Sequence, residues 1–192
     1  SAKRGLASVH GQPGRPAGAG GSSASVAVVI SAMKGVTDRL LATGQFLAEG
    51  SFAAARREAE GVLQLHLEVL RDLQLPEAGH ARVRRELQLL GRDLLHEAPL
   101  RGPLAASAEL LDRLASFGER FSARLFAATL EKAGIAAVPV ASSDFVLTCD
   151  TFRAAKPHLQ ETRERGRAVL LPLLEAGIVP VVTGFIGATP DG

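Results

Sequence analysis

The sequence is poor in residues that mark several common classes of protein. Its 192 residues include a single cysteine, Cys149, and neither tryptophan nor tyrosine. A lone cysteine cannot form an internal disulfide or a thiolate metal cluster, which fits a reducing compartment. No apolar run approaches the roughly 20 residues of a membrane-spanning helix. We therefore expect a cytoplasmic protein, with a plastid as a minor alternative, that has no membrane contact and no metal site.

Basic charge is concentrated at the beginning of the chain. The net charge is +2, yet residues 1–25 contain Lys3, Arg4 and Arg15 and no acidic residue, which leaves the remainder close to neutral. Residues 1–25 are also rich in glycine, alanine, serine and proline without periodicity, which predicts a disordered head. Because no aromatic residues accompany the basic ones, the composition does not favour nucleic-acid binding.

Residues 26–192 alternate apolar strands with amphipathic helices. Residues 26–30 are all apolar and four of them are β-branched, which predicts a central strand of a parallel sheet. Further helices are predicted from about 39 to 50, 52 to 73, 80 to 96, 104 to 133 and 160 to 176, and strands over 135–140, 145–148 and 178–183. Pro172 predicts a kink or an early break in the last helix. This order of elements predicts a three-layer α/β domain with helices on both faces of a mostly parallel sheet.

The loop after the first strand is a candidate anion site. Residues 31–38 read SAMKGVTD, with small residues, a glycine and hydroxyls just before a helical pattern. Ligands of open α/β sheets gather beyond the carboxyl ends of strands, where helix N-termini favour anions. The alternative is an ordinary strand-to-helix turn in which Thr37 or Asp38 is the N-cap.

Three stretches together resemble a known family. Residues 26–38 read VAVVISAMKGVTD, residues 116–124 read SFGERFSAR, and residues 178–192 read IVPVVTGFIGATPDG. In this order they resemble the aspartate kinases of the amino-acid kinase family, which carry a V-V-S-A-x-x-G-V-T-[DN] loop, an S-x-G-E-x-x-S-[AT] helix and a V-V-T-G-F-I-G turn. The resemblance implies an amino-acid kinase fold with a helical insertion. It also implies phosphoryl transfer from ATP, with Mg²⁺, to the side-chain carboxylate of L-aspartate, at the start of lysine, threonine and methionine biosynthesis.

The resemblance implies five substrate-binding residues, which are Ser31, Gly35, Thr37, Glu119 and Phe185. In the family, the loop hydroxyls contact the substrate carboxylates, the glutamate pairs with the ammonium group, and the backbone around the phenylalanine closes the pocket. The chemistry agrees, because aspartate needs hydroxyl and N–H donors for two carboxylates and one buried acid for its ammonium group. The alternative for Glu119 is a solvated charge that forms a salt bridge on a helix surface.

The turn at residues 183–187 follows the last predicted strand. Its two glycines would let backbone N–H groups approach a ligand, and the resemblance extends to nucleotide contacts at Thr183 and Gly184. The alternative is a tight turn without a ligand. Three histidines lie in predicted helices without paired ligand spacing, and we expect them at the surface or the edge of the core rather than on a metal; they are His66, His80 and His96.

The resemblance covers roughly residues 25–192, the substrate half of a kinase domain that is incomplete at both ends. The family's lysine loop, K-F-G-G-T-S, and its segment G-R-T-T-T-L-G-R-G-G-S-D have no counterpart in the sequence. We therefore expect the catalytic lysine and aspartate to lie outside it, the isolated chain to be inactive, and the chain to form a homo-oligomer or to associate through the incomplete domain. Two alternatives stay open. One is another amino-acid kinase, acting on glutamate, acetylglutamate, carbamate or UMP, and the other is a non-catalytic fragment that binds an amino acid or assembles with a partner chain.

Overall fold

The computed structural model describes residues 25–97, 107–184 and 186–190. Within these ranges the strands are β1 (Val28–Ile30), β2 (Ala137–Val140) and β3 (Val179–Thr183). The α-helices are α1 (Val36–Ala48), α2 (Phe52–Asp72), α3 (Glu77–Glu97), α4 (Ala108–Lys132) and α5 (Leu159–Glu175), and a single 3₁₀ turn spans Ser142–Asp144. No helix of the described ranges is both long and apolar enough to cross a membrane. Residues 1–24 of the predicted disordered head and the predicted start of the fourth helix at about 104 lie outside the described residues.

The three described strands form one parallel sheet in the order β1-β3-β2. The predicted parallel sheet is therefore confirmed. The prediction that residues 26–30 form a central strand is wrong for the described strands, because β3 is central and β1 lies at the edge, where Val29 is 69% exposed. A β-branched run indicates a strand but does not identify the neighbours of that strand.

Helices cover both faces of the sheet, as predicted. Val181 of β3 packs with Ala123 and Ala127 of α4. Its neighbour Val182 packs on the other face, with Val169 of α5. Successive residues of a strand point to opposite faces, so one apolar strand supplies two layers of core.

Helices α1 to α4 form a bundle beside the sheet, in which α1 to α3 are the predicted helical insertion. Its buried core is made mostly of leucine, alanine and phenylalanine, at Leu40, Ala55, Val62, Leu70, Leu87, Leu94, Leu114, Phe117 and Phe121 among others. His66 belongs to this core and is fully buried, so its predicted place at the surface or the core edge is wrong. Its Nδ1 donates to the carbonyl of Val62 at 2.7 Å, and its ring stacks on Phe121 with centroids 4.6 Å apart. These two contacts satisfy one ring nitrogen and bury the remaining ring surface.

Two predicted features of the later chain are wrong. Residues 145–148 do not form a strand, because only isolated bridges occur there, from Leu147 to Ala188 and from Thr148 to Pro157. The helix containing Pro172 continues three residues further, to Glu175, so the early break is wrong, whereas the alternative of a kink stays a prediction. Pro172 lacks the N–H that would bond to the carbonyl of Ala168, yet the helical bonding resumes after it, since the N–H of Ala176 donates to the carbonyl of Pro172 at 3.1 Å.

Candidate active site

The loop after β1 leads directly into α1 at the carboxyl edge of the sheet. The helix begins at Val36, earlier than predicted, and its N-cap is Gly35 rather than Thr37 or Asp38. Gly35 has φ 80°, a left-handed conformation that costs other residues roughly 1–2 kcal/mol. Ser31 and Thr37 are both exposed, so their hydroxyls are open to a ligand. The N-terminus of a 13-residue helix therefore faces this edge of the sheet, as the anion-site prediction requires.

Helix α4 passes very close to this loop at Gly118. A Cβ atom placed on Gly118 would lie 2.7 Å from Cβ of Ala32 and 3.1 Å from Cγ1 of Val36. Carbon atoms pack at about 3.5–4.0 Å, so only glycine permits this approach. The glycine of the SFGER stretch thus brings the next residue of α4 to the carboxyl edge of the sheet.

Glu119 is that next residue, and it is only 8% exposed. A Cβ atom placed on Gly184 would lie 3.2 Å from Oε1 of Glu119. It would lie at the same distance from the carbonyl oxygen of Ile30. The carboxylate therefore reaches the backbone where β1 and β3 end. The alternative interpretation of Glu119 as a solvated surface charge is wrong, because α4 turns this side of the helix toward the sheet.

The turn after β3 is fixed by a serine that the sequence analysis did not identify. The backbone N–H of Ser142 donates to Thr183 Oγ1 at 2.8 Å, and the two hydroxyls are 2.8 Å apart. Ser142 Oγ also donates to the carbonyl of Ile186 at 2.7 Å. Both serine and threonine are buried, so these bonds hold the loop after β2 against the turn after β3. The sequence carries no signal for these bonds, because the bonded residues lie 41 and 44 positions apart.

Comparison with known proteins identifies the family. Residues 19–192 match the Amino acid kinase family. The chain belongs to the amino acid kinase family.

Individual members of the family are also similar to this amino acid kinase chain. Lysine-sensitive aspartokinase 3 of Escherichia coli (strain K12) is 32% identical over 166 residues, which make up 86% of this chain and 35% of the relative. A crystal structure of E. coli aspartokinase III in complex with aspartate and ADP (R-state) has a TM-score of 0.75 at 28% identity, over 87% of this chain and 35% of that one. The structure in complex with lysine and aspartate (T-state) has a TM-score of 0.74 at 28% identity, over 86% and 35%. The chain thus spans about a third of the length of the relatives it matches.

In this amino acid kinase chain, the predicted site residues meet around α4. Ser31 lies between Ile30, which approaches Gly184, and Ala32, which touches Gly118. Thr37 follows Val36, which also contacts Gly118. The structure therefore brings Ser31, Gly35, Thr37, Glu119 and Gly184 to one edge of the sheet, whereas Phe185 lies outside the described residues.

Thr183 and Gly184 differ in their surroundings. The hydroxyl of Thr183 bonds to Ser142, whereas Gly184 faces the Glu119 carboxylate. A nucleotide contact at either residue stays a prediction. The described ranges contain no group of three histidine, cysteine, aspartate or glutamate side chains that could hold a metal ion.

Arg120, which follows Glu119 along the chain, interacts with a different set of residues. The guanidinium of Arg120 lies 4.7 Å from the ring centroid of Phe117. Burial lowers the pKa of Arg120, and the charges of Asp93, Asp144 and Glu97 oppose that effect. Adjacent helix positions do not face each other, so this arginine interacts with acids of α3 and of the loop after β2.

Proposed function

We propose that this chain forms the aspartate-binding part of an aspartate kinase, which transfers a phosphoryl group from ATP to the side-chain carboxylate of L-aspartate. The observation that carries the proposal is the buried carboxylate of Glu119 at the point where the loops after β1 and β3 meet. The E. coli relative supports it, since aspartokinase III is bound to aspartate and ADP in one crystal structure and to lysine and aspartate in another.

The substrate is a small dianion that also carries one cation. In the proposal, the Glu119 carboxylate pairs with the α-ammonium group, because a buried acid interacts with a cation more strongly than a solvated one does. The exposed hydroxyls of Ser31 and Thr37, with the N–H groups that begin α1, bind the two carboxylates. Gly35 supplies the left-handed turn that aims this helix at the site. Phe185 belongs to the proposal through the family resemblance alone, since it lies outside the described residues.

The chemical contribution of these residues is to hold the acceptor. An oxygen of the side-chain carboxylate attacks the γ-phosphorus of ATP, the bond from that phosphorus to the bridging oxygen breaks, and ADP leaves with the electron pair. Positioning supplies much of the catalysis in phosphoryl transfer, so fixing the aspartate by its ammonium group and both carboxylates would leave one oxygen of the side-chain carboxylate placed to react. Mg²⁺ belongs to the proposal through the family resemblance alone, and no described side chain is assigned to it. Nucleotide contact at Thr183 and Gly184, at the carboxyl end of β3, is also part of the proposal.

Self-association is also part of the proposal. Among the described strands β1 pairs with β3 alone and its Val29 is exposed, which supports self-association because an unpaired strand edge readily pairs with another chain.

The test is the binding of L-aspartate to the purified protein, measured by isothermal titration calorimetry. Glu119→Gln keeps the shape of the side chain and removes its charge, and we expect the affinity to fall at least tenfold, about 1.4 kcal/mol. Glu131→Gln is the matched control, because Glu131 is on the same helix, is exposed and pairs with Arg82. Its affinity should equal that of the unmodified protein.

Two further ligands make the test specific. Succinate lacks the ammonium group, so Glu119→Gln should not weaken its binding. L-Glutamate tests whether the site accepts a longer acid, as the alternative of another amino-acid kinase would require. The proposal is wrong if the unmodified protein does not bind L-aspartate, or if both glutamate variants lose affinity equally.

A further inference from the structure

Ser122 has an unusual hydroxyl for a helical serine. It is only 4% exposed, and its Oγ makes no hydrogen bond within the part of the chain that the structure describes. Other helical hydroxyls bond to a carbonyl of the preceding turn, as Thr43 does to Arg39 at 2.9 Å and Thr129 does to Leu125 at 2.8 Å. A buried hydroxyl without a partner costs stability, so a different requirement must favour serine at this position.

The position of Ser122 on α4 points its side chain toward the candidate site. An α-helix turns by about 100° per residue, which places Ser122 between Gly118 and Glu119 around the axis, one turn further along. Gly118 touches the loop after β1, and Glu119 reaches Gly184 at the end of β3. The hydroxyl therefore lies beneath the junction of these two loops.

The separation of Ser122 from Glu119 suits a hydrogen bond between their side chains. Residues three apart on a helix have Cβ atoms about 5–6 Å apart. Because Oγ of Ser122 has no direct partner among the described residues, a bridging water molecule is the contact that would span this separation. In that contact the hydroxyl would donate to the water and the water to the carboxylate, which would fix the orientation of the carboxylate.

We propose that Ser122 is a positioning residue, whose buried hydroxyl holds the Glu119 carboxylate toward the α-ammonium group of the amino-acid substrate. This inference rests on the proposed function. It extends that function, because Ser122 would then contribute to selection of ligands that carry a primary ammonium group next to a carboxylate. Dicarboxylates without an ammonium group would not depend on it.

The test compares ligand affinity with thermal stability in Ser122→Ala. We expect the dissociation constant for L-aspartate to rise about fivefold to tenfold, as for the loss of one hydrogen bond to a charged group. The affinity for succinate should not change. The melting temperature without ligand should change by no more than in Thr129→Ala, because each variant removes one hydroxyl and one hydrogen bond. Thr129→Ala is the matched control, since it removes a satisfied and exposed hydroxyl of the same helix, and its affinity for aspartate should be unchanged.

A double-mutant cycle shows whether Ser122 acts through Glu119. In a Glu119→Gln background, Ser122→Ala should cause no further loss of affinity for aspartate. An unmodified protein that does not bind aspartate refutes the proposed function, and this inference with it. An unmodified protein that binds, together with a Ser122→Ala variant that binds equally well, refutes the inference alone. A lower melting temperature with equal losses for aspartate and succinate also refutes it, because a purely structural role gives that result.

Discussion

Replacing Gly118 with alanine tests whether the close approach of α4 to the loop after β1 builds the site. The added Cβ would lie 2.7 Å from Cβ of Ala32, whereas carbon atoms pack at about 3.5–4.0 Å. The Cβ of Ala32 is attached directly to the backbone, so the loop or the helix must move by roughly 1 Å. Gly91 offers a contrast, because a Cβ there would meet only the flexible end of Leu63.

Two opposing terms set the stability of Gly118→Ala. Alanine is better than glycine inside a helix by about 1 kcal/mol, whereas overpacking a filled site costs about 1–3 kcal/mol. The net expectation is a destabilisation of up to about 2 kcal/mol, and each kcal/mol lowers the melting temperature by about 2–4 °C in a chain of this size. The loop of Ser31 and Gly35 would also shift relative to Glu119, so the affinity for L-aspartate should fall at least tenfold, since a shift of about 1 Å is costly at a pre-formed site.

The assay combines thermal unfolding with calorimetric titration of L-aspartate. Gly79→Ala is the matched control, because Gly79 is in α3 and a Cβ there would meet nothing within 4 Å. It should raise the melting temperature by a few degrees at most and leave the affinity unchanged. The reasoning fails if Gly118→Ala is stabilised like Gly79→Ala and keeps the affinity for aspartate.

Two further predictions concern stability. Burial lowers the pKa of His66 below its ordinary value of 6.5, so the unfolded chain binds more protons at this residue than the folded one. Urea titrations should therefore show the free energy of unfolding falling below about pH 6.5, with a contribution from His66 of at most about 1.4 kcal/mol per pH unit. Ser142→Ala removes the bonds of that hydroxyl to Thr183 and Ile186 and should lower the free energy of unfolding by about 1–3 kcal/mol. Ser143→Ala, at the next position of the same 3₁₀ turn, is the control. Equal stability of the two variants in urea would contradict the structural role of Ser142.

The helices and the parallel sheet were predictable because apolar spacing reports on burial. The leucine-rich pattern of residues 52–73 gave α2 to within one residue, and the apolar run at 178–183 gave β3 equally closely. The start of α1 was missed because Thr37 and Asp38 are favourable N-cap residues, yet the left-handed turn at Gly35 begins the helix earlier. Local propensity identifies residues that are favourable N-caps, and tertiary contacts decide at which residue the helix begins.

The site was less predictable than the fold because its contacts join distant parts of the chain. Helical periodicity alone cannot tell whether Glu119 faces solvent or the sheet, since that depends on the packing of α4. The Ser142 hydroxyl bonds across 41 residues to Thr183, a separation on which local sequence carries no information. Only the family resemblance indicated Glu119, and nothing in the sequence singled out Ser142.

Helix α4 links the bundle to the site. One side of it, including Phe117 and Phe121, packs in the core of the helical bundle, whereas Ala123 and Ala127 pack on the sheet. Glu119 lies between these contacts, so its carboxylate is held by two cores rather than by a loop. Because positions supported by packed helices are more precise than positions on loops, the bundle would hold the proposed ammonium-binding group in place. The long helical insertion therefore has a function in the proposed site, although α2 and α3 contribute no residue to it.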